Sequence, residues 1–307
     1  MHRLRSLMSL VVLALVLPVS AEAGWGHLKG KLVVAGDVPA PEKLAVNKDV
    51  AVCGNKGLVD ESLIVGKAGG LQNVVICMYQ SRRAPQKPDV HPDYAELKSA
   101  TLELDNKNCR FEPHVVVMTT AQSLLVKNSD PVGHNANVQS LKNPANPNIP
   151  PNGQIELEMK TADTTPVKVV CGSHPWMQAV VLVRDEPYFA VSSETGEFEI
   201  KNIPDGTWKF VFWHERGGRS KTGGYLKGFS QGGKEVESDR VGAVEVTIED
   251  GEVTDLGTME MKIEDLMPYG PVEPKSRLYP PHASGAGFFV DWCSYPVTAS
   301  FYLQHLH

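Results

Sequence analysis

Short apolar runs, each bounded by turn-forming residues, recur along most of the chain, and no stretch keeps the period of a long amphipathic helix. Short runs rich in β-branched residues are typical of β-strands. The strands predicted in the first part of the chain are residues 30–34, 63–65, 74–79, 101–104, 115–118, 124–127, 155–159, 167–170 and 179–183. Many short strands at this spacing favour an all-β sandwich or barrel.

A second set of strands follows a boundary near residues 185–187. Asp250-Gly251, between the last two strands of this set, is a strong hairpin signal. We therefore expect two domains, a larger β-sandwich over residues 24–184 and a smaller Ig/transthyretin-like β-sandwich over residues 185–263. The strands predicted in the second domain are residues 188–191, 197–200, 208–213, 244–248 and 252–261.

The two ends of the chain depart from this pattern. Basic residues precede an apolar run at residues 7–19, and a small-x-small cleavage pattern follows at residues 21–23. Residues 1–23 are therefore expected to be a signal peptide, which makes the protein periplasmic or secreted. No later apolar run is long enough for a stable membrane anchor. Residues 264–307 contain repeated prolines and no strand pattern, and we expect a poorly ordered tail.

Composition and charge narrow the class of partner. The chain is 42% hydrophobic and 21% charged, which supports a packed core and argues against wholesale disorder. The formal net charge of −6 argues against nucleic acid as a partner. A mildly acidic surface instead favours a basic patch on a protein partner.

The chain has five cysteines, and an exported protein meets an oxidising compartment in which pairs form disulfides. An odd count leaves at least one cysteine unpaired. Cys53 and Cys109 each lie in a polar, turn-like stretch, and we predict that they pair. Cys77 lies in an apolar run and is expected to be a small buried hydrophobic residue. Cys171 is the natural unpaired cysteine if it binds a metal ion.

Three soft ligands lie within one loop between two predicted strands. Cys171, His174 and Met177 follow each other at intervals of three residues. A copper site of the blue type combines two His and one Cys in a plane with a weak axial Met. The loop lacks only the second His, and His134 is the upstream candidate.

The pattern Cys-x-x-His-Pro-x-Met, preceded by a remote His-Asn pair, resembles the cupredoxins, and its ligand spacing is similar to that of amicyanin. The resemblance implies a Greek-key β-sandwich that binds one mononuclear type 1 copper ion. It implies copper ligands at His134, Cys171, His174 and Met177. It also implies that Asn135 ties the two ligand segments together by hydrogen bonds.

The wider chain resembles a group of exported bacterial cupredoxin-domain proteins of the methylamine-utilisation type. The stretches that carry this resemblance are residues 109–114, 128–135, 171–179, 187–190 and 212–215. The second domain resembles the carboxypeptidase regulatory-like β-sandwich, which has no catalytic residues of its own.

We expect a one-electron carrier that cycles between Cu(II) and Cu(I), and not an enzyme, with a redox protein as its partner. His174 would be the electron port, and Trp176 would either form part of a docking face beside it or pack the loop against the sandwich. Two alternatives stay open. One is copper binding and delivery in the periplasm, and the other is a structural surface module with an incidental or empty metal site.

Three further polar residues have two readings each. His114 is expected to be a structural histidine at the start of a strand, or an auxiliary ligand. His214 and Glu215 are expected to form a polar contact between the domains or on the surface, or a metal-binding pair.

Overall fold

The computed structural model describes residues 24–81, 87–219 and 223–267. The first ten strands are β1 (Trp25–Ala35), β2 (Val75–Met78), β3 (Thr101–Lys107), β4 (Arg110–Glu112), β5 (Val115–Thr119), β6 (Ser123–Asn128), β7 (His134–Asn135), β8 (Asn137–Val138), β9 (Asn148–Ile149) and β10 (Gln154–Glu158). The next ten are β11 (Val167–Val170), β12 (Gln178–Arg184), β13 (Phe189–Val191), β14 (Glu197–Pro204), β15 (Gly206–His214), β16 (Gly224–Tyr225), β17 (Ser230–Gln231), β18 (Lys234–Glu235), β19 (Val244–Ile248) and β20 (Val253–Lys262).

Helices are short in the described part of the chain, and the predicted all-β class is confirmed. The α-helices are α1 (Val50–Cys53) and α2 (Ile263–Leu266), and the 3-10 segments are Lys67–Gly69, Pro92–Ser99 and Gly217–Arg219. No helix in these ranges is long and apolar enough to cross a membrane. The predicted signal peptide, and the predicted tail from residue 268 onward, lie outside the described residues. Residues 264–266, which were expected to open the poorly ordered tail, belong to α2 instead.

Residues 101–184 form a β-sandwich of two four-stranded sheets, which we call the ligand sandwich. One sheet has the strand order β10-β6-β3-β4, and the other has the order β5-β12-β11-β8. Strand β6 shows the reason for the packing, because its side chains alternate and every second one is buried. Leu124 and Val126 of β6 pack with Val169 and Val181 of the opposite sheet in one core cluster.

A second sandwich, which we call the flanking sandwich, encloses its own core. One sheet has the order β14-β1-β20-β17-β18, and the other has the order β13-β2-β15-β16 with β19 also paired to β15. Leu28 and Leu32 of β1 face Phe210 and Phe212 of β15 in this core. The described strands therefore form two sandwiches, as the sequence predicts, but with a different division of the chain.

The predicted boundary near residue 185 does not follow the pairing of the strands. Strand β1 pairs antiparallel with β14 and parallel with β20, and β2 pairs with β13 and β15. The segment 24–79 thus belongs by pairing with the strands that follow residue 185, and the ligand sandwich is inserted between them. An apolar run shows that a strand exists but not which strand it pairs with. Residues 63–65, a predicted strand, form only an isolated bridge from Val65 to Leu71.

The two sandwiches pack against each other through strands that are buried on both faces. All five residues of β5 are buried, as are six of the seven in β12. Val117 and Leu182 face the flanking sandwich, where they pack in one cluster with Cys77 and Trp213. Burial on both faces explains why these segments appear in the sequence as unbroken apolar runs.

One long connecting segment links the two sandwiches at the end that carries the predicted metal ligands. Residues 37–62, here called the covering segment, contain little regular structure besides α1 and an isolated bridge from Lys43 to Val59. Cys53 at the end of α1 and Cys109, the pair expected from the sequence, are joined by a disulfide. The covering segment is thereby attached to the turn between β3 and β4.

Candidate metal centre

The loop between β11 and β12 holds three of the four predicted ligands. Cys171 comes directly after β11, and Met177 comes directly before β12. The N–H of Cys171 donates to the carbonyl of Met177 at 3.2 Å, and the N–H of Met177 donates to the carbonyl of His174 at 2.9 Å. A short loop between two paired strands has few backbone arrangements, so these bonds fix the directions in which its side chains leave.

His134 in β7 completes a buried group that could hold a metal ion. Its Nδ1 lies 3.8 Å from Sγ of Cys171, and Nδ1 of His174 lies 3.7 Å from the same sulfur. The three donor atoms all lie within 4.8 Å of one another. Three ligands about 2.1 Å from a shared ion in a trigonal plane are roughly 3.6 Å apart, so the donors are spaced for one ion.

Met177 and Asn135, the other two predicted site residues, lie beside this group. Met177 is fully buried and belongs to the same core cluster as Cys171. Oδ1 of Asn135 accepts the N–H of Gly172 at 2.8 Å, and the N–H of Asn135 donates to Sγ of Cys171 at 3.5 Å. Asn135 therefore joins the strand of His134 to the loop of Cys171.

Two carboxylates that were not predicted from the sequence orient the imidazoles. Nε2 of His134 lies 3.1 Å from Oδ2 of Asp130, and Nε2 of His174 lies 2.8 Å from Oδ2 of Asp49. A carboxylate at Nε2 holds the proton there and leaves the Nδ1 lone pair for a metal ion. Asp130 lies four residues before His134, a signal that the sequence does contain, whereas Asp49 lies 125 residues from its partner and has none.

The turn between β3 and β4 holds Asp130 in place. The N–H groups of Asn108 and Cys109 each donate to its carboxylate at 2.8 Å. Burial alone would raise the pKa of Asp130, but the hydrogen bonds from His134 and Cys109 outweigh it and lower the pKa. An ionised Asp130 can accept all of these bonds at once.

His174, the expected electron port, is not exposed to solvent, because the covering segment lies over it. His174 has an exposed fraction of 0%, and Asp49, which occupies its Nε2, directly precedes α1 in the covering segment. On an isolated sandwich, a His at this position of the loop would be exposed. The sequence of the loop does not indicate that the covering segment, which is distant in the chain, buries His174.

Trp176 packs the ligand loop against the neighbouring turn. Its Nε1–H donates to the carbonyl of Cys109 at 3.1 Å. Its ring lies against the ring of His174, with 5.1 Å between the centroids. Of the two roles considered for Trp176, these contacts favour packing.

The three residues with two readings lie away from this group. Oε2 of Glu215 lies 2.8 Å from Nε2 of His114, and its Oε1 lies 3.0 Å from Nζ of Lys168. Nδ1 of His214 accepts the N–H of Arg216. Glu215 thus links the flanking sandwich to the ligand sandwich, and no second group of metal-binding spacing occurs among the described residues.

Near neutral pH, the shifted pKa values of Cys171 and His134 favour a thiolate beside a protonated imidazole. Burial alone would raise the pKa of Cys171, but hydrogen bonds from His134, the backbone of Asn135 and His174 outweigh it and lower the pKa to about 6. Burial alone would lower the pKa of His134, but Asp130 and the Cys171 sulfur outweigh it and raise the pKa to about 9. The pair is thus partly prepared for metal binding, because the Cys171 thiolate is already formed and only the proton on His134 must still be lost.

We expect the affinity for a metal ion to rise with pH between about 6 and 9, by about tenfold per unit, because binding must displace the proton from His134. Competition titrations against a chelator of known pH dependence would measure this slope. Asp130→Asn removes the carboxylate that raises the pKa of His134, and it should flatten the slope. An affinity that does not change with pH in the unsubstituted protein would contradict the expectation.

Comparisons with known proteins give weak likenesses. No protein family matches the chain, and no curated protein matches it. Among solved structures, a mutant of amicyanin with Cu(I) is 15% identical, with 27% of this chain and 82% of the other covered and a TM-score of 0.25. A purple cupredoxin from Nitrosopumilus maritimus is 18% identical, with 27% and 98% covered and a TM-score of 0.23. A copper-containing nitrite reductase from Thermus scotoductus is 14% identical, with 34% and 25% covered and a TM-score of 0.24. Scores this low carry no conclusion about this chain.

Proposed function

We propose that this chain is an exported mononuclear type 1 copper protein of the cupredoxin kind that transfers single electrons. The buried group of His134, Cys171 and His174, with its three donor atoms within 4.8 Å, carries the proposal. When bound, copper would supply the one-electron step between Cu(II) and Cu(I). The chain's own residues set the conditions for that step.

The donor set fits copper better than the other common metals. A thiolate and two imidazoles are the in-plane ligands of blue-copper centres, and Met177 would supply a weak axial thioether. Magnesium and calcium take oxygen ligands, which this group does not offer. Zinc also accepts sulfur and nitrogen, so the redox response distinguishes it from copper.

The surroundings favour electron transfer because they hold the ligands in place. Asp130 and Asp49 orient the two imidazoles, and Asn135 ties the loop to β7. Ligands held by a network of this kind move little when the charge on the ion changes. A small rearrangement is what a fast electron carrier needs.

Export to the periplasm, a protein redox partner and the carboxypeptidase regulatory-like nature of the second sandwich belong to the same proposal. The protein would act as a carrier and not as an enzyme. Copper delivery would need the same ligands, but it would require copper to leave readily. The network of Asp49, Asp130 and Asn135 favours retention, and we therefore place electron transfer first.

A Cu(II) titration of the purified protein tests the proposal. We expect one copper per chain, an intense thiolate-to-copper band in the visible spectrum, a mononuclear EPR signal and a fast, reversible redox couple. Absence of copper binding would sink the proposal. Copper exchange with a chaperone without fast electron exchange would favour delivery.

A further inference from the structure

A cavity of about 550 Å³ opens beside the candidate metal centre. The covering segment, the ligand sandwich and the flanking sandwich each contribute part of its wall. Its size lies within the range of about 300 to 1,000 Å³ that is usual for small-molecule sites. None of the roles considered above uses this cavity.

Trp176 connects the cavity to the metal centre. Its side chain lines the cavity, and its ring also packs on the ring of His174 at 5.1 Å. Leu44, Leu58 and Val59 of the covering segment add apolar wall. A flat aromatic molecule would find an aromatic face and aliphatic contacts here.

The charged side chains of the wall favour an anion. The cavity is lined by four cationic residues and only three carboxylates, although the chain as a whole has a net charge of −6. The residues are Lys56, Arg110, Lys168 and Arg216 against Asp60, Glu61 and Glu215.

The two arginines have donors to spare. Arg110 bonds Glu61 and Glu112 through Nη1 and Nε, and Arg216 bonds Asp60 and Ser62 through Nη2 and Nε. A guanidinium carries five N–H donors in a planar fork, which matches a carboxylate. Among the described residues, neither guanidinium has all of its donors occupied.

His114 contributes an unpartnered ring nitrogen at the same wall. Its Nε2 lies 2.8 Å from Oε2 of Glu215. Burial alone would raise the pKa of Glu215, but His114 and Lys168 outweigh it and lower the pKa to about 2. An ionised Glu215 only accepts hydrogen bonds, so Nε2 carries the proton and Nδ1 is the ring nitrogen left for another partner. Nδ1 is buried without a partner among the described residues, and it lies 3.9 Å from Oε2 of Glu61. A small shift of Glu61 would let a hydroxyl group form a hydrogen bond with this nitrogen.

We propose that the cavity binds a small aromatic anion that carries a hydroxyl group, of the hydroxybenzoate class. The ring packs on Trp176, the carboxylate bonds Arg110 and Lys168, and the hydroxyl forms a hydrogen bond with Nδ1 of His114. Binding does not require copper.

The test uses para-hydroxybenzoate with the full chain, both copper-free and copper-loaded. Calorimetry should show one bound molecule per chain, and the bond that each polar group makes should be worth about tenfold in affinity. Benzoate, which lacks the hydroxyl, and para-hydroxybenzyl alcohol, which lacks the charge, should therefore each bind about tenfold more weakly. In protein with isotope-labelled tryptophan, the indole N–H signal of Trp176, identified by its loss in Trp176→Phe, should move on binding.

Two variants test the cationic wall separately. Arg110→Gln and Lys168→Gln should each weaken binding by about fivefold or more. Lys127→Gln, which removes an ion-paired lysine on β6 outside the cavity, should leave the affinity unchanged.

Absence of saturable binding, or equal affinity for the neutral alcohol, would overturn the proposal, as would full affinity in both cavity variants. If the copper-free protein binds para-hydroxybenzoate but takes up no copper, the cavity site stands and the copper function fails.

Discussion

Cys171→Ser is expected to abolish the visible thiolate-to-copper band completely, at any copper concentration. The band requires a sulfur ligand bonded to Cu(II), and a serine hydroxyl neither supplies sulfur nor loses its proton at neutral pH. The surroundings of Cys171 lower the pKa of the thiol to about 6, an effect that serine cannot use. Absorption and EPR spectra of the copper-titrated variant would measure the loss.

Cys77→Ala is the matched control for this loss. Cys77 is also a free, buried cysteine, but it lies in β2 in the cluster between the sandwiches, and burial raises the pKa of its thiol to about 11. The Cys77→Ala protein should keep the full band. If Cys171→Ser keeps the band, or Cys77→Ala loses it, the thiolate has been assigned to the wrong residue.

The part of the centre that could be predicted from the sequence is the part that is local. Cys171, His174 and Met177 lie in seven consecutive residues, so their spacing alone indicates that they approach one another. The class of the fold was equally accessible, because strands buried on one or both faces leave alternating or unbroken apolar patterns.

What the sequence could not predict depends on distant parts of the chain meeting in space. Nothing near Asp49 marks it as the partner of His174, which lies 125 residues further on. Strand β1 likewise joins β14 and β20 across the inserted ligand sandwich. Such long-range contacts depend on which apolar faces pack against each other. The apolar pattern of a single strand does not indicate which strand it pairs with.

The disulfide connects the supports of both imidazoles. On one side, Cys53 ends the helix that Asp49 precedes, and Asp49 bonds His174. On the other side, the backbone of Cys109 donates to Asp130, which bonds His134. Loss of the disulfide is therefore expected to affect both the covering segment and the metal centre.

The double variant Cys53→Ser and Cys109→Ser is expected to lower the free energy of unfolding by about 4 kcal/mol. The two cysteines are 56 residues apart, and a crosslink that closes a loop of this length removes about that much chain entropy from the unfolded state. Urea unfolding of copper-free protein would measure the change. We also expect His174 to become accessible to solvent, because the covering segment loses its covalent attachment, and hydrogen exchange over residues 37–62 would show it.

Stability measurements separate the effect of the crosslink from the loss of two sulfur atoms, and a thiol count checks the crosslink itself. Reduced wild-type protein keeps both sulfurs and should lose about as much stability as the double variant, whereas Cys77→Ala removes a buried thiol without any crosslink and should cost about 1 kcal/mol. A thiol count on denatured, unreduced protein should find three free thiols, since five cysteines less the two in the disulfide leave three. Five free thiols, or unchanged stability on reduction, would show that the crosslink does not hold the covering segment over His174.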